Sequence, residues 1–430
     1  MSIESDLSRL REAYVARNPE SRRHYESATE VMPGGNTRSV LYYDPFPLAI
    51  ARGERASLWD ADGHEYKDFL GEFTAGLYGH SHEVIRDAVV TALHGGINLT
   101  GHNLLEAHLA DIVTKRFPSI QRVRFTNSGT EANLLAIAAA KRFTGRQKIL
   151  VFKGGYHGGV LTFSTGHSPI NVPHDFVLGT YNDQDGAAAL VAKHAKDLAA
   201  ILVEPMQGAG GCIVGRPAFL EDLRRLATEA GALLVFDEVM TSRLAPGGRQ
   251  SVLGITPDLT TLGKYIGGGM SFGAFGGRAD VMALFDPRMP DHMGHAGTFN
   301  NNVLSMAAGI AGLSQIYTPE VAVAFNARGD ALRERLNATS RAHGSILQFS
   351  GLGTLMNLHG TPGEIRHCDD IPASESVVKD LFFFHMLAAG FYVARRGFVV
   401  LSLPLTDDDL DRFHNAFEAF VDQYGKKLKT

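Results

Sequence analysis

Four short segments of the chain carry side chains that could do chemistry together. They offer hydroxyls beside a glycine, an aromatic ring among glycines, a carboxylate at the end of an apolar run, and a lysine, within Thr126–Ala132, Gly154–Gly158, Leu233–Val239 and Thr261–Lys264. Each segment alone has an ordinary explanation, such as a helix cap, a loop tyrosine, a strand end or a surface lysine. The set therefore has to be judged as a whole.

The first segment has the form of an anion site. Ser128, Gly129 and Thr130 follow a predicted strand and open a predicted helix, so backbone N–H groups and hydroxyls would point to a place that favours a phosphate. Tyr156 in the second segment lies among glycines, which would let its ring stack on another planar group. These two segments predict a phosphate loop and a stacking surface.

Asp237 ends an apolar run, which is where ligands bind in open α/β sheets. A carboxylate there would keep a pyridine nitrogen protonated. An apolar strand that ends in Asp-Glu is also typical of the Walker B segment of an ATPase, but neither Gly263-Lys264 nor Gly425-Lys426 fits the phosphate-binding motif that an ATPase also requires. The ring-nitrogen partner is the better interpretation.

Lys264 stands between the segment Leu259-Thr260-Thr261-Leu262-Gly263 and three consecutive glycines at 267–269, a stretch whose backbone could pack closely against a flat ligand. A lysine in such a cleft can have its pKa lowered by desolvation, which makes it a nucleophile and then a general base. An anion cradle, a stacking surface, a carboxylate and a lysine are together what pyridoxal 5′-phosphate (PLP) needs. The sequence predicts a PLP site with Lys264 as its Schiff-base lysine.

Two other motifs are weaker. Gly269–Gly273 matches the nucleophile elbow of serine hydrolases, but the glycines after it argue against the helix that the elbow requires. Histidine pairs at 80–82 and 292–295 have no third ligand at zinc-site spacing, so no metal is predicted.

The elements that must position these residues follow from the apolar pattern. From about residue 122 to 300, strand-length apolar runs alternate with amphipathic helical stretches, which predicts an α/β fold with a mainly parallel sheet and crossover helices. Residues 7–32 have a helical pattern that Pro33-Gly34-Gly35 stops. At 430 residues, we expect a large domain over 66–301 and a smaller α+β domain built from 1–65 and 302–430.

Bulk composition narrows the function classes. The formal net charge of −5 gives no basic footprint for nucleic acid, and no apolar run is long enough to span a membrane. The two cysteines form no disulfide or metal framework, and the acidic N-terminus lacks a signal-peptide pattern. We expect a cytoplasmic protein.

The motif set resembles the class III aminotransferase family of fold-type-I PLP enzymes, in the branch that includes glutamate-1-semialdehyde aminomutase. The resemblance covers nearly the whole chain. Three segments are most similar to bacterial β-phenylalanine aminotransferases, namely Thr37–Val40, Asp44–Pro47 and Arg396–Ser402.

The resemblance implies roles for particular residues. Lys264 would hold PLP, Asp237 would pair with its ring nitrogen, and Ser128, Gly129 and Thr130 would hold its phosphate. Tyr156 and Val239 would pack on the two faces of its ring, and Thr298 would reach the phosphate of the neighbouring subunit, which implies a homodimer with active sites at the subunit interface.

Arg38 and Arg396 are the substrate-reading candidates, because a guanidinium binds a carboxylate through two hydrogen bonds. The resemblance implies transfer of an amino group from a β-amino acid such as β-phenylalanine to a 2-oxo acid, 2-oxoglutarate or pyruvate, by a ping-pong mechanism. Two alternatives remain open at this point: an aminomutase that keeps its keto intermediate, and a PLP-binding protein without catalysis.

Overall fold

A mainly parallel seven-stranded sheet dominates the computed structural model, which describes residues 3–164 and 166–428. The helices are α1 Ile3–Arg17, α2 Pro19–Thr29, α3 Glu83–His94, α4 Leu104–Arg116, α5 Gly129–Thr144, α6 Gln184–His194, α7 Pro217–Ala230, α8 Gly248–Leu253, α9 Ala279–Met282, α10 Val303–Ala311, α11 Pro319–Ala342, α12 Glu375–Ala388 and α13 Asp407–Tyr424. Among the described residues, none of these helices is both long and apolar enough to cross a membrane.

The strands form one large sheet and three smaller ones. They are β1 Ile50–Glu54, β2 Ser57–Asp60, β3 Glu65–Asp68, β4 Arg122–Thr126, β5 Lys148–Phe152, β6 Asp175–Gly179, β7 Leu198–Val203, β8 Met206–Gln207, β9 Ile213–Val214, β10 Leu233–Asp237, β11 Leu259–Gly263, β12 Gly273–Gly277, β13 Gln348–Leu352, β14 Leu355–His359, β15 Phe391–Tyr392 and β16 Phe398–Val400. The predicted α/β class is confirmed.

The large sheet has the order β4-β12-β11-β10-β7-β5-β6. Its pairs are parallel except that β12 runs antiparallel to β4 and β11. Because β12 separates β4 from β11 and opposes both, those two strands point the same way. The carboxyl ends of β4, β11, β10, β7 and β5 therefore share one edge of the sheet, where ligands bind in folds of this kind.

Alternate side chains of the central strand β10 face opposite layers. Leu233 and Val235 join the apolar cluster that includes Ala136 of α5, while Leu234 and Phe236 join the cluster that includes Leu223 of α7. Because helices cover both faces of the sheet, β10 is apolar along its length. Asp237, at its carboxyl end, is its first polar residue.

Both ends of the chain meet in a second sheet of order β1-β2-β3-β15, in which β15 from the C-terminal part runs parallel to β3. The predicted hairpin at Asp60–His64 joins β2 and β3. This shared sheet supports the division into 66–301 and a smaller unit made of both chain ends, which stays a prediction.

The helical stretch predicted over 7–32 is two helices, and the second ends at Thr29. Pro19 opens α2, since a proline has no N–H to donate to the preceding turn and is tolerated only in the first turn of a helix.

Candidate active site

The strand ends bring the four predicted segments to the same edge of the large sheet. Ser128 follows β4, Lys264 follows β11, Asp237 ends β10, and Tyr156 lies four residues after β5. A hypothetical Cβ on Gly263 would lie 3.3 Å from Val239 Cγ1 and 3.6 Å from the backbone nitrogen of Gly129. The start of α5 and the residue before Lys264 are thus immediate neighbours.

The phosphate loop predicted from the sequence caps α5. Ser128 is the N-cap residue, and its hydroxyl accepts a hydrogen bond of 3.2 Å from the N–H of Glu131. Gly129 has no room for a side chain, because a Cβ there would lie 2.8 Å from Val239 Cγ2. Thr130 Oγ1 accepts the N–H of Gly159 at 3.3 Å. The free N–H groups of the first turn and the positive end of the helix dipole favour an anion here.

Asp237 is buried and firmly held. Its Oδ2 accepts Asn133 Nδ2 at 2.9 Å and lies 2.8 Å from His157 Nδ1, and its Oδ1 accepts the N–H of Val239 at 3.0 Å. A carboxylate has about four lone-pair positions, so Oδ1 retains capacity for a further donor such as a pyridinium N–H. The site therefore has an oriented carboxylate at the end of a central strand.

Lys264 adopts a backbone φ of +56°, the left-handed region that costs a non-glycine residue energy and that clusters at functional sites. Its Nζ donates a hydrogen bond of 2.7 Å to the carbonyl of Phe73. Burial lowers the pKa of Lys264 from its ordinary 10.5 to about 8; the nearby Arg396 acts in the same direction and Asp237 opposes it. A lowered pKa increases the share of neutral amine, which is the nucleophilic form.

Tyr156 is 47% exposed. Its backbone N–H donates to Glu204 Oε1 at 2.9 Å, and the other oxygen of Glu204 accepts the N–H of Gly208 at 3.0 Å. Glu204 is buried, and burial raises the pKa of its carboxyl above the ordinary value. Glu204 was not predicted, although it comes directly after the apolar run of β7 as Asp237 comes directly after the apolar run of β10, and that parallel was the available signal.

Arg38 and Arg396 both lie near the ring of Phe73, with their guanidinium carbons 5.5 and 5.2 Å from its centroid. Arg396 also lies 5.7 Å from the Phe398 centroid, is half-buried, and forms no ion pair among the described residues. Its Nε is buried without a hydrogen-bond partner. Arg38, in contrast, forms an ion pair with Glu72. The ring of Phe73, a residue whose carbonyl binds Lys264, thus lies near two cations.

The segment that carries Phe73 is a turn of left-handed backbone. Gly71, Glu72, Phe73 and Thr74 have φ values of +52°, +48°, +50° and +82°. Left-handed backbone costs non-glycine residues roughly 1–2 kcal/mol each. Tertiary hydrogen bonds hold the turn, because the Phe73 carbonyl accepts Lys264 Nζ and the Thr74 carbonyl accepts Arg243 at 3.3 Å. Nothing in a Glu-Phe-Thr sequence predicts this geometry.

Thr298 lies outside this cluster, on an exposed loop. It lines a groove of ≈ 1220 Å³ together with Ile97, Leu99 and Phe299. Within the chain, the structure therefore brings together the predicted residues around Lys264 and leaves Thr298 facing a groove of its own.

The fold and the site define an α/β enzyme whose sheet edge combines an anion cradle, an oriented carboxylate and a half-buried lysine. The chain belongs to the class III aminotransferase family, since the model of that family, described as aminotransferase class-III, matches residues 41–421. Enzymes of this class depend on PLP, and the cradle, carboxylate and lysine fit its phosphate, ring nitrogen and aldehyde.

The chain is 58% identical over 427 residues to the beta-phenylalanine transaminase of Variovorax paradoxus, covering 99% of this chain and 98% of that protein. A crystal structure described as a beta-phenylalanine aminotransferase from Variovorax paradoxus matches with a TM-score of 0.98 at 58% identity, over 99% of each chain. The whole chain thus has the fold of this relative.

Two further solved structures are similar. A transaminase with PLP bound matches with a TM-score of 0.88 at 28% identity, over 96% of this chain and 99% of that one. A glutamate-1-semialdehyde aminomutase from Pseudomonas aeruginosa matches with a TM-score of 0.90 at 21% identity, over 99% and 98%. At that identity the second match shows a shared fold alone, which is the fold-type-I architecture expected from the sequence.

Proposed function

We propose that this PLP-dependent aminotransferase takes the amino group of a β-amino acid, preferably an aromatic one such as β-phenylalanine, and passes it to a 2-oxo acid in a ping-pong mechanism. The observation that carries the proposal is the placement of Arg38 and Arg396 around Phe73, whose carbonyl binds Lys264. With two guanidinium groups, one site can bind two kinds of substrate. In the β-amino acid, the carboxylate is one carbon farther from the carbon that carries the nitrogen than it is in the α-amino acid formed from the 2-oxo acid. The identity of 58% to a beta-phenylalanine transaminase supports the same substrate class.

A cavity of ≈ 300 Å³ beside this cluster supports an aromatic donor. Its wall includes the apolar side chains of Val40, Leu70 and Phe73 and the charged side chains of Lys379, Asp380, Arg395 and Arg396. The apolar part of this wall accommodates a phenyl group, and the guanidinium of Arg396 supplies a polar contact that fixes orientation.

The proposed roles of the residues follow from their chemistry. Lys264 would hold PLP, Asp237 would pair with its ring nitrogen, and Ser128, Gly129 and Thr130 would hold its phosphate through hydroxyl and N–H groups at the start of α5. Tyr156 and Val239 would pack against its ring. When bound, PLP supplies an electron sink for the carbon that bears the amine. Asp237 keeps a proton on the ring nitrogen, and His157 and Asn133 hold that carboxylate in place.

Lys264 Nζ is the base that removes the proton from the amine-bearing carbon of the donor. Its lowered pKa of about 8 suits this work, because a base is most effective when its pKa lies near the operating pH. Arg38 and Arg396 orient the donor and then the 2-oxo acid, 2-oxoglutarate or pyruvate, in the same site.

We also propose a homodimer in which Thr298 completes the phosphate site of the neighbouring subunit. Apolar side chains on the loops that line the groove with Thr298, and at the start of α4, are exposed in the single chain: Phe299 at 56%, Leu99 at 50% and Leu104 at 93%. An exposed apolar patch of this kind is typical of an interaction surface. A cytoplasmic location is part of the proposal, and the two free cysteines, Cys212 and Cys368, support it.

The proposal is tested by mixing the yellow holoenzyme with each enantiomer of β-phenylalanine in the absence of an acceptor. We expect one enantiomer to change the visible spectrum of the bound cofactor to that of its amine form. The enzyme should then release one molecule of keto acid per active site. Either 2-oxoglutarate or pyruvate should then restore the spectrum. Conversion by α-amino acids alone would contradict the β-amino acid assignment, and isomerisation of glutamate-1-semialdehyde without an added acceptor would identify an aminomutase instead.

The variant Lys264→Ala tests the role of the lysine. Without Nζ, PLP can be held only through its phosphate, its ring and Asp237, so we expect turnover to fall by at least about a thousandfold, since Lys264 is both the attachment point and the base. The visible absorbance of bound PLP should also change, and denatured protein should release all of its cofactor. A variant that keeps the wild-type spectrum and turnover would show that another residue carries PLP.

A further inference from the structure

We propose that the carboxylate of Glu72 is an internal counter-ion of Arg38, which the carboxylate of a substrate displaces, so that Glu72 sets how strongly the enzyme binds carboxylate substrates. The inference rests on the proposed role of Arg38 as a substrate-reading residue. It concerns a residue that the sequence motifs do not single out and that lies next to Phe73, the residue whose carbonyl binds Lys264.

The contact itself is a direct ion pair between Arg38 Nη1 and Glu72 Oε1. The side chains are 42% and 58% exposed, so water competes for both partners. Exposed ion pairs of this kind contribute little to stability, because solvent and salt screen them. The pair is therefore weak enough for an incoming carboxylate to replace it, yet strong enough to weaken the binding of that carboxylate measurably.

The backbone around Glu72 is fixed, so the exchange needs only a side-chain rotation. The Glu72 carbonyl accepts the N–H of Ala75 at 3.2 Å, and Asp68 Oδ1 accepts the N–H of Gly71 at 2.9 Å. The left-handed turn of residues 71–74 thus stays in place while the carboxylate of Glu72 moves into water.

Arg38 retains a partner when Glu72 leaves. Its guanidinium carbon lies 5.5 Å from the centroid of the Phe73 ring, within the range of a cation–π interaction. The ring therefore keeps the guanidinium of Arg38 in place during the exchange. Arg396 has the same aromatic neighbour but no counter-ion among the described residues. A carboxylate that binds Arg38 must displace an anion, whereas one that binds Arg396 does not.

Glu72→Gln tests the exchange, because the amide keeps the size of the side chain and removes its charge. The probe is 3-phenylpropionate, which carries the phenyl ring and carboxylate of β-phenylalanine but has no amine to react. We expect the holoenzyme variant to bind this probe about two- to fivefold more tightly, measured by titration calorimetry. The KM for β-phenylalanine should fall by a similar factor, while the KM for 1-phenylethylamine, which has no carboxylate, should not change.

Two further variants assign the effect. Glu334→Gln removes an exposed partner of Arg341 on α11 and serves as a matched control, which should leave probe binding unchanged. Arg38→Met should weaken probe binding, and Glu72→Gln should then have no further effect in the double variant.

Equal or weaker probe binding by Glu72→Gln alone, or an effect that persists without Arg38, would overturn the inference and leave the aminotransferase proposal intact. No loss in Arg38→Met would overturn the role of Arg38, and this inference with it, while amino-group transfer would still be measurable.

Discussion

At the scale of single residues, the candidate site is characterised by charged side chains, among them Lys264 and Asp237, that are withdrawn from water. Lys264 was predictable only from its companions, because a lone lysine after a strand has no distinguishing pattern. Asp237 was predictable from its position after an apolar run. Glu72 and Phe73 were not predictable, since their roles arise from contacts with Arg38 and Lys264, which lie far away in the chain.

The lowered pKa of Lys264 predicts a pH-dependent stability of the cofactor-free protein. Because the folded state binds this proton less tightly than the unfolded state does, wild-type stability should rise between about pH 8 and 10.5. Lys264→Met has no charge to bury, so we expect it to exceed the wild type in free energy of unfolding by up to about 3 kcal/mol near neutral pH. The loss of the hydrogen bond to Phe73 would reduce this gain by about 1 kcal/mol.

Urea unfolding of both cofactor-free proteins from about pH 7 to 10 measures the difference. The gain should shrink as the pH rises through the pKa of about 8 toward the ordinary value of 10.5. The exposed Lys193 provides a control, since Lys193→Met should show no pH-dependent gain. A gain that stays constant over this range would mean that the burial of charge at Lys264 is not its cause.

At the scale of elements, the apolar runs predicted the α/β pattern over residues 122–300 but not β12, which lies between β4 and β11. β12 has the sequence Gly-Ala-Phe-Gly-Gly, which is typical of a loop, yet all five residues are buried. A Cβ on Gly277 would lie 2.0 Å from the carbonyl oxygen of Asp258, so the neighbouring backbone leaves no room for a side chain. The glycines reflect close packing that single-chain periodicity cannot reveal.

The contact between the Tyr156 loop and α5 can be tested at Gly158. A Cβ there would lie 2.3 Å from Thr130 Oγ1, and the φ of +133° is unfavourable for any other residue. We expect Gly158→Ala to push Thr130 away from the phosphate position and to weaken PLP binding by about ten- to a hundredfold. Fluorescence titration of the cofactor-free protein with PLP measures this.

The next residue supplies the comparison. Gly159 has open space around its hypothetical Cβ and also donates its N–H to Thr130, so Gly159→Ala should bind PLP as the wild type does. Equal affinities for the two alanine variants would show that Thr130 is not held by this loop.

At the scale of the whole molecule, the exposed apolar side chains of the single chain include a group near Thr298. Several lie near Thr298, on the loops around residues 97–104 and 298–299. The sequence suggested a dimer only through family resemblance, because exposed apolar residues cannot be told from core residues before the fold is known.

Leu104→Glu tests the dimer. Leu104 is the first residue of α4, where a glutamate interacts favourably with the helix dipole, so we expect the subunit to fold normally. A charge buried in a contact between subunits would disfavour association. We expect sedimentation analysis to show a smaller species and a parallel loss of PLP affinity, because Thr298 would no longer reach its partner. The equally substituted Val31→Glu, at an exposed apolar residue just after α2, should stay dimeric. A dimeric Leu104→Glu with normal PLP affinity would place the interface elsewhere.

The antiparallel strand β12 also imposes an order on biosynthesis. β4, which leads into the phosphate loop, is attached to the large sheet only through β12, and β12 ends at residue 277. A nascent chain that ends at Lys264 already contains every residue of its own subunit that is predicted to contact PLP. In that chain, however, β4 still has no neighbouring strand with which to pair. At least thirteen more residues, counted from 264 to 277, must therefore be synthesised before β4 can pair with the rest of the large sheet.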